Sequence, residues 1–184
     1  MVIWYNRDIN KKERKNEMAN DCSYDMQVVA KTKEAFERLL SIMKYEDKEF
    51  YIYRVRDVYV NMEPNTLESK GGKLWTMKLA GDVAWSASAW VRGIPDPNEK
   101  SDTGAGYTNL VELCKTLDIG VEIWTSEPGM CFQEHILINN RGMSSYDTTD
   151  WTVEYDEETD EPIEDGGFDN YGSWVNPDEI YEEK

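Results

Sequence analysis

At 184 residues, 40% hydrophobic and 12% aromatic, the chain is large enough to bury a sizeable core as one domain, and its 7 Trp and 11 Tyr belong in that core or on a binding face. Acidic side chains outnumber Lys and Arg by 37 to 20, a net charge of −17; a field of that sign repels nucleic acid and anionic membranes and attracts basic surfaces, which excludes direct DNA or RNA binding. No apolar run approaches the ~20 residues that cross a bilayer, and the N-terminus lacks the continuous apolar core of a signal peptide, so a cytoplasmic protein without a membrane partner is expected.

Residues 1–17 are polar, carry the basic run "NKKERK" at 10–15, and read as an N-terminal arm before Met18. "DMQVVA" at 25–30 is a short strand. Thr32 then caps a helix, "KEAFERLLSIMKY", whose Phe36, Leu39, Leu40 and Met43 fall at i, i+3, i+4 and i+7. "FYIYRVRDVYV" at 50–60 is dense in β-branched and aromatic residues and reads as a covered strand, with Arg54 and Arg56 interrupting one face. Residues 62–72 are turn-rich and read as a loop. Residues 73–91 resume an extended pattern, with Gly81 and Asp82 as a bulge or turn and with Trp85, Ala87, Ala89 and Val91 alternating on one face; a helix over 83–91 is the alternative, to which the serines and tryptophans give little support. After a second long loop at 93–106, Tyr107, Leu110, Val111, Cys114 and Leu117 repeat at helical spacing, which predicts a helix over 107–117 with Cys114 in the core. Strands follow at 119–126, with Val121 and Ile123 on one face, and at 130–138; "NNRG" then turns the chain into a returning strand over 143–156.

This order predicts an α+β fold over 18–155: a ferredoxin-like split βαβ antiparallel sheet with two helices on one face and an added C-terminal β-hairpin. Residues 156–184 form an acidic C-terminal segment of 12 acids and one lysine, net −11, which leaves −6 for residues 1–155. Its Phe168, Tyr171, Trp174, Val175 and Ile180 set it apart from a solvated acidic tail and predict that it packs partly back on the domain.

The stretch that most resembles chemistry is "EPGMCFQEHI" at 127–136, with the chain's one histidine, His135, four residues after Cys131. In a strand, those two side chains share with Gln133 and Leu137 a mixed face open to solvent, but they lie about 13 Å apart, too far to ligate one metal ion or to form a Cys–His nucleophile pair. Cys22, Cys114 and Cys131 are scattered, match no disulfide or zinc spacing, and read as reduced thiols. Glu134 is the odd member, because it interrupts the apolar face of Met130, Phe132, Ile136 and Ile138; it is a salt-bridge partner of Arg54 or Arg56, a sign of a different strand register, or a buried catalytic carboxylate. "DEETDEPIED" lacks the spacing of a calcium loop, "GAG" at 104–106 lacks the context of a dinucleotide site, and no nucleophile elbow, metalloprotease helix or phosphate loop occurs. No catalytic residue, metal or cofactor is therefore expected.

"MANDCSYDMQVV", "GDVAWSASAW" and "VEIWTSEPGMCFQEHILINNRG", spread over 18–155, resemble the YubB-type ferredoxin-like domain proteins of phages, plasmids and other mobile elements. The resemblance implies a fold and a mobile-element origin, and supplies no catalytic residues. Acidic accessory proteins of that origin suggest an inhibitor that occupies the basic groove of a nucleic-acid-binding host protein, such as a CRISPR effector nuclease, as an anti-CRISPR or DNA mimic. The expected partner surface comprises Trp151, Tyr155, Asp156, Glu157, Glu158, Asp160, Glu161, Glu164, Asp165, Phe168, Tyr171 and Trp174, where carboxylates imitate phosphates and aromatics anchor. Two other readings stand beside it: a self-associating scaffold module, and an enzyme using Glu134, His135 and the two arginines.

Overall fold

Ten successive residues from Asp21 to Ala30 alternate between two sets, Cys22, Tyr24, Met26 and Val28 on one face and Asp25, Gln27 and Val29 on the other. Period-2 alternation with both faces largely buried marks a central strand. A computed structural model describes residues 21–52, 54–70, 72–84, 86–88, 91, 93, 104–142, 144–156, 159 and 161–182, and places this strand, β1, third in a seven-stranded antiparallel sheet, with neighbours on both sides. The other elements are α1 (Lys33–Met43), β2 (Phe50–Ile52), β3 (Val55–Ser69), β4 (Gly72–Ala84), β5 (Gly106–Thr108), α2 (Leu110–Leu117), β6 (Ile119–Glu127), β7 (Phe132–Ile138), β8 (Ser144–Tyr155), β9 (Pro162–Gly166) and the single turn α3 (Pro177–Ile180). The sheet runs β3-β4-β1-β6-β7-β8-β9, and β2 and β5 form a separate parallel pair. The arm at 1–17 lies outside the described residues.

The ferredoxin-like expectation is overturned. The molecule is dominated by its large antiparallel sheet, beside which the helices are small, at 11, 8 and 4 residues. Two segments account for the difference. Residues 62–69, expected as a loop, continue β3 to a length of 15 residues paired with β4. Pro64 and Asn65 are tolerated there because β3 is an edge strand, and because three register shifts, after Val55, Val60 and Met62, let the ladder absorb irregular residues. At the other end, residues 162–166 leave the acidic segment to add β9 to β8. Two further boundaries moved. The strand expected over 50–60 breaks at Arg54, whose φ is +72°, and Tyr107 belongs to β5 instead of α2. Beyond Ala84 the extended pattern ends, because Val91 donates its N–H to the Ala87 carbonyl at 3.0 Å, a helical bond where alternation predicts a strand.

The main core lies on one face of the sheet. Phe36, Leu39, Ile42 and Met43 of α1 and Leu110, Leu113 and Cys114 of α2 bury against Met26, Val28, Met77, Leu79, Val121, Ile123 and Ile136. Each such side chain contributes about 1.5–3 kcal/mol on full burial. Thr32 caps α1 by accepting from the N–H of Ala35, as the sequence predicts. The opposite face is covered by the chain's own C-terminus. Ile180 and Tyr181 bury against Val29 and Leu74 in a second cluster.

Candidate functional site

The β6–β7 hairpin presents a buried carboxylate on each face, Glu134 on one and Glu122 on the other. On the helix face, Glu134 is 1% exposed. Its Oε2 accepts from the Thr125 hydroxyl at 2.8 Å and from the backbone N–H of Ala87 at 2.9 Å, and its Oε1 accepts from the Tyr146 hydroxyl at 2.8 Å. Register explains the set, because Thr125 is the direct cross-strand neighbour of Glu134 and Tyr146 lies on the adjoining strand beside Ile136. Arg56 pairs instead with Asp21 at 2.9 Å. Three donors offset the desolvation of a buried carboxylate, and the arrangement fastens the backbone at Ala87 to the sheet.

Burial pushes the nearby Cys22 thiol up to about 12; the Thr125 hydroxyl opposes that shift, while the charges of Glu134 and Glu127 add to it. Such a thiol is held in its unreactive neutral form. Cys114 is raised by burial as well, and Cys131 alone of the three is exposed. Glu127 turns back to accept from the N–H of Met130 in the tight turn that carries Cys131 at a φ of +59°.

On the other face, Glu122 is 0% exposed. His135 Nε2 lies 2.9 Å from its Oε1, and the N–H of Val175 donates to its Oε2 at 2.9 Å. The imidazole stacks on Trp124 with centroids 3.7 Å apart and planes at 10°. Phe168 and Tyr171 close over the indole, each with its centroid 5.4 Å away. Gln27 donates to the Val175 carbonyl at 3.2 Å, and Gln133 accepts from the N–H of Phe168 at 2.9 Å. The mixed face of Gln133, His135 and Leu137, which parity alone leaves open to solvent, is therefore roofed by residues 168–182, a strap laid across the sheet. Its far end is fixed by Glu182, whose N–H donates to Asn140 Oδ1 and whose carbonyl accepts from Asn140 Nδ2, both at 2.9 Å. Burial raises Tyr171, against a hydrogen bond with Ser126, and raises Asp25, against the charge of Lys78.

The expected partner residues divide between this strap and a hairpin. Phe168 and Tyr171 pack on Trp124, and Trp174 lies under Lys78, whose Nζ is 4.5 Å from the ring centroid. Their aromatic surface is largely spent within the fold. Tyr155, Glu161, Glu164 and Asp165 are exposed on the β8–β9 hairpin, Asp156 is half-buried and receives the N–H and hydroxyl of Thr159, and Trp151 is half-buried at the hairpin's base. Glu157, Glu158 and Asp160 lie outside the described residues. Two consecutive positive-φ glycines, Gly166 (+76°) and Gly167 (+86°), turn the chain from the hairpin into the strap; a Cβ at Gly166 would stand 2.5 Å from the Asp150 carbonyl oxygen.

Sequence reasoning missed Glu122 and Gln27. The available signal was that Glu122, like His135, faces the same side as Trp124 in adjoining strands. Among the described residues no group of three His, Cys, Asp or Glu is placed to hold a metal ion, and no helix is long and apolar enough to cross a membrane. Comparisons of the chain with protein-family models, curated proteins and solved structures give no match.

Proposed function

We propose that this chain is an acidic interaction protein of the cytoplasm that binds and inhibits a basic nucleic-acid-binding host protein, of which a CRISPR effector nuclease is one example. A mobile-element origin rests on the sequence resemblance to YubB-type proteins. The observation that carries the reading is the β8–β9 hairpin. Tyr155 is 64% exposed and Ile163 52% exposed, and Glu154, Asp156, Glu161, Glu164 and Asp165 lie on the same hairpin. From residue 142 to residue 183 the chain has 15 acids and no Lys, Arg or His. A set of exposed carboxylates interleaved with exposed apolar side chains is suited to a surface that otherwise holds phosphates.

The other readings find less support. Self-pairing through the sheet is opposed at both edges, since β3 carries Pro64 and three register shifts while β9 has five residues and begins with Pro162. Glu134, the candidate acid or base, is spent on three hydrogen bonds within the core.

The test compares the full chain with a variant carrying Glu154→Gln, Glu161→Gln, Glu164→Gln and Asp165→Asn. Capture of basic proteins from a nuclease-rich bacterial lysate is measured at low and high salt, together with inhibition of DNA cleavage by a Cas9-type nuclease. Four exposed charge pairs at about 0.5 kcal/mol each predict a loss of about 2 kcal/mol, roughly 30-fold, in the variant. Equal capture and equal inhibition by the two proteins would refute the reading.

A further inference from the structure

The two faces of the sheet are covered in different ways. Helices α1 and α2 bury an apolar face. The strap lies on polar side chains: Gln27, Glu122 and Gln133 are each at most 6% exposed, and all three hydrogen-bond its main chain. Glu122 accepts the N–H of Val175 while Gln27 donates to the carbonyl of the same residue, and Gln133 accepts the N–H of Phe168. Main-chain amides are alike in every peptide, so these three side chains hold a chain laid across the sheet whatever its sequence. Sequence enters through the rings of Phe168 and Tyr171, packed on Trp124.

The fit of the strap is incomplete. Trp124 is fully buried, yet its indole N–H has no hydrogen-bond partner among the described residues. Neither has the Thr76 hydroxyl, which the β1–β4 register puts on the same face beside Val29. A buried donor without an acceptor destabilises the state that contains it. A second chain that offers an acceptor to Trp124 gains a bond that the strap does not make.

The strap is also unevenly fastened. At its far end Ile180 and Tyr181 are 1% and 3% exposed and bury against Val29 and Leu74, whereas Phe168, Tyr171, Trp174 and Val175 are only half-buried. Positive-φ glycines stand before this near segment, at 166 and 167, and within it, at 172. A half-buried segment held mainly by side-chain hydrogen bonds opens at a lower cost than the sheet beneath it.

We propose that the face around Glu122, Trp124 and His135 is a binding site for a peptide segment of another protein that carries an aromatic side chain, and that residues 168–175 occupy it in the free chain. The near segment lifts off while Ile180 and Tyr181 stay anchored. The incoming segment is held by its main chain on Gln27, Glu122 and Gln133 and by its ring on Trp124. The apparent affinity is lowered by the fraction of molecules in which the strap is seated. This site is separate from the β8–β9 hairpin and does not depend on the function proposed for it.

A fluorescently labelled peptide with the sequence of residues 168–175, "FDNYGSWV", tests the site by anisotropy. The parent is compared with a full-length Phe168→Ala, Tyr171→Ala variant, in which the occupant is weakened and the sheet face is unchanged. The variant should bind the peptide more than about tenfold more tightly, because a strap seated more than about nine-tenths of the time lowers affinity by that factor. Binding should also shift the Trp124 indole N–H resonance, and a peptide whose Phe and Tyr are replaced by alanine should not bind. Equal affinity of parent and variant, or equal binding of the ring-free peptide, would overturn the proposal. Hydrogen exchange of the parent needs no variant. The amides of Phe168 and Val175 should exchange at least about tenfold faster than those of Val28 in β1 and Ile123 in β6. Equal rates would mean that the segment leaves only when the whole chain unfolds, and the proposal would fail. It would fail too if the parent sediments as a dimer that the peptide splits, because a second copy's strap would then be the occupant. None of these measurements involves the hairpin carboxylates, so their outcome leaves the proposed function to its own test.

Discussion

Replacing Gly120 by alanine puts a methyl group where the strap's main chain already lies. Gly120 belongs to β6, beside Val29 in β1, and a Cβ built on it would stand 2.0 Å from the carbonyl oxygen of Ile180 and 2.8 Å from its carbon. Side-chain carbons are not found closer than 3.0 Å to such atoms, so the strap must retreat by at least about 1 Å. The strand cannot retreat instead, because β6 is laddered to β1 on one side and to β7 on the other. A gap of that width forfeits a quarter to a half of the dispersion contacts across it. Ile180 and Tyr181 are both buried, each worth about 1.5–3 kcal/mol in full, so their share of the loss is about 1–3 kcal/mol. Stretching the Tyr181–Asp118 bond, 2.7 Å long, and the paired Glu182–Asn140 bonds adds about 1 kcal/mol. The expected destabilisation is about 2–4 kcal/mol. In urea unfolding followed by tryptophan fluorescence, that lowers the midpoint by about 1–2 M for a slope near 2 kcal/mol/M. Faster proteolysis between residues 167 and 182, with the sheet's circular dichroism retained, would place the damage in the strap. An unchanged midpoint would refute the view that the strap is part of the folded unit.

Two further outcomes follow from the same structure. The native chain should react with Ellman's reagent at one thiol, Cys131, because Cys22 and Cys114 are fully buried and raised; all three should react in denaturant, and rapid modification of a second thiol before unfolding would contradict the burial. Asp47 offers a pH test: burial raises its carboxyl, but the N–H groups of Phe50 and Glu49 and the charge of Arg38 outweigh that and hold it below the usual carboxylate range. A depressed folded value contributes stability that is present above the unfolded value, near 3.9, and is lost as pH falls through the folded one. Asp47→Asn should therefore be less stable than the parent at pH 7, with the difference shrinking below pH ~4; a pH-independent difference would contradict the assignment.

Local rules carried far along this sequence. The Thr32 cap, the apolar stripe of α1, the burial of Cys114, and the strands β6, β7 and β8 each follow from residues within one or two turns or a few strand positions, and the structure places them as periodicity predicts. Periodicity reports which residues share a face, not what lies against it. Gln133 and His135 read as a face toward solvent because their cover is a strap that begins at residue 168 and must first turn back at Gly166 and Gly167. The same limit applies to Glu134, whose donors come from Ala87, Thr125 and Tyr146, up to 47 residues away in the chain. It applies again to 62–69, where proline and asparagine signal a loop locally yet sit in a long edge strand that an adjoining partner holds in place. Charge and composition located the acidic segment; its division into a buried strap and an exposed hairpin came from the sheet, which had one uncovered face to fill and apolar side chains within reach to fill it.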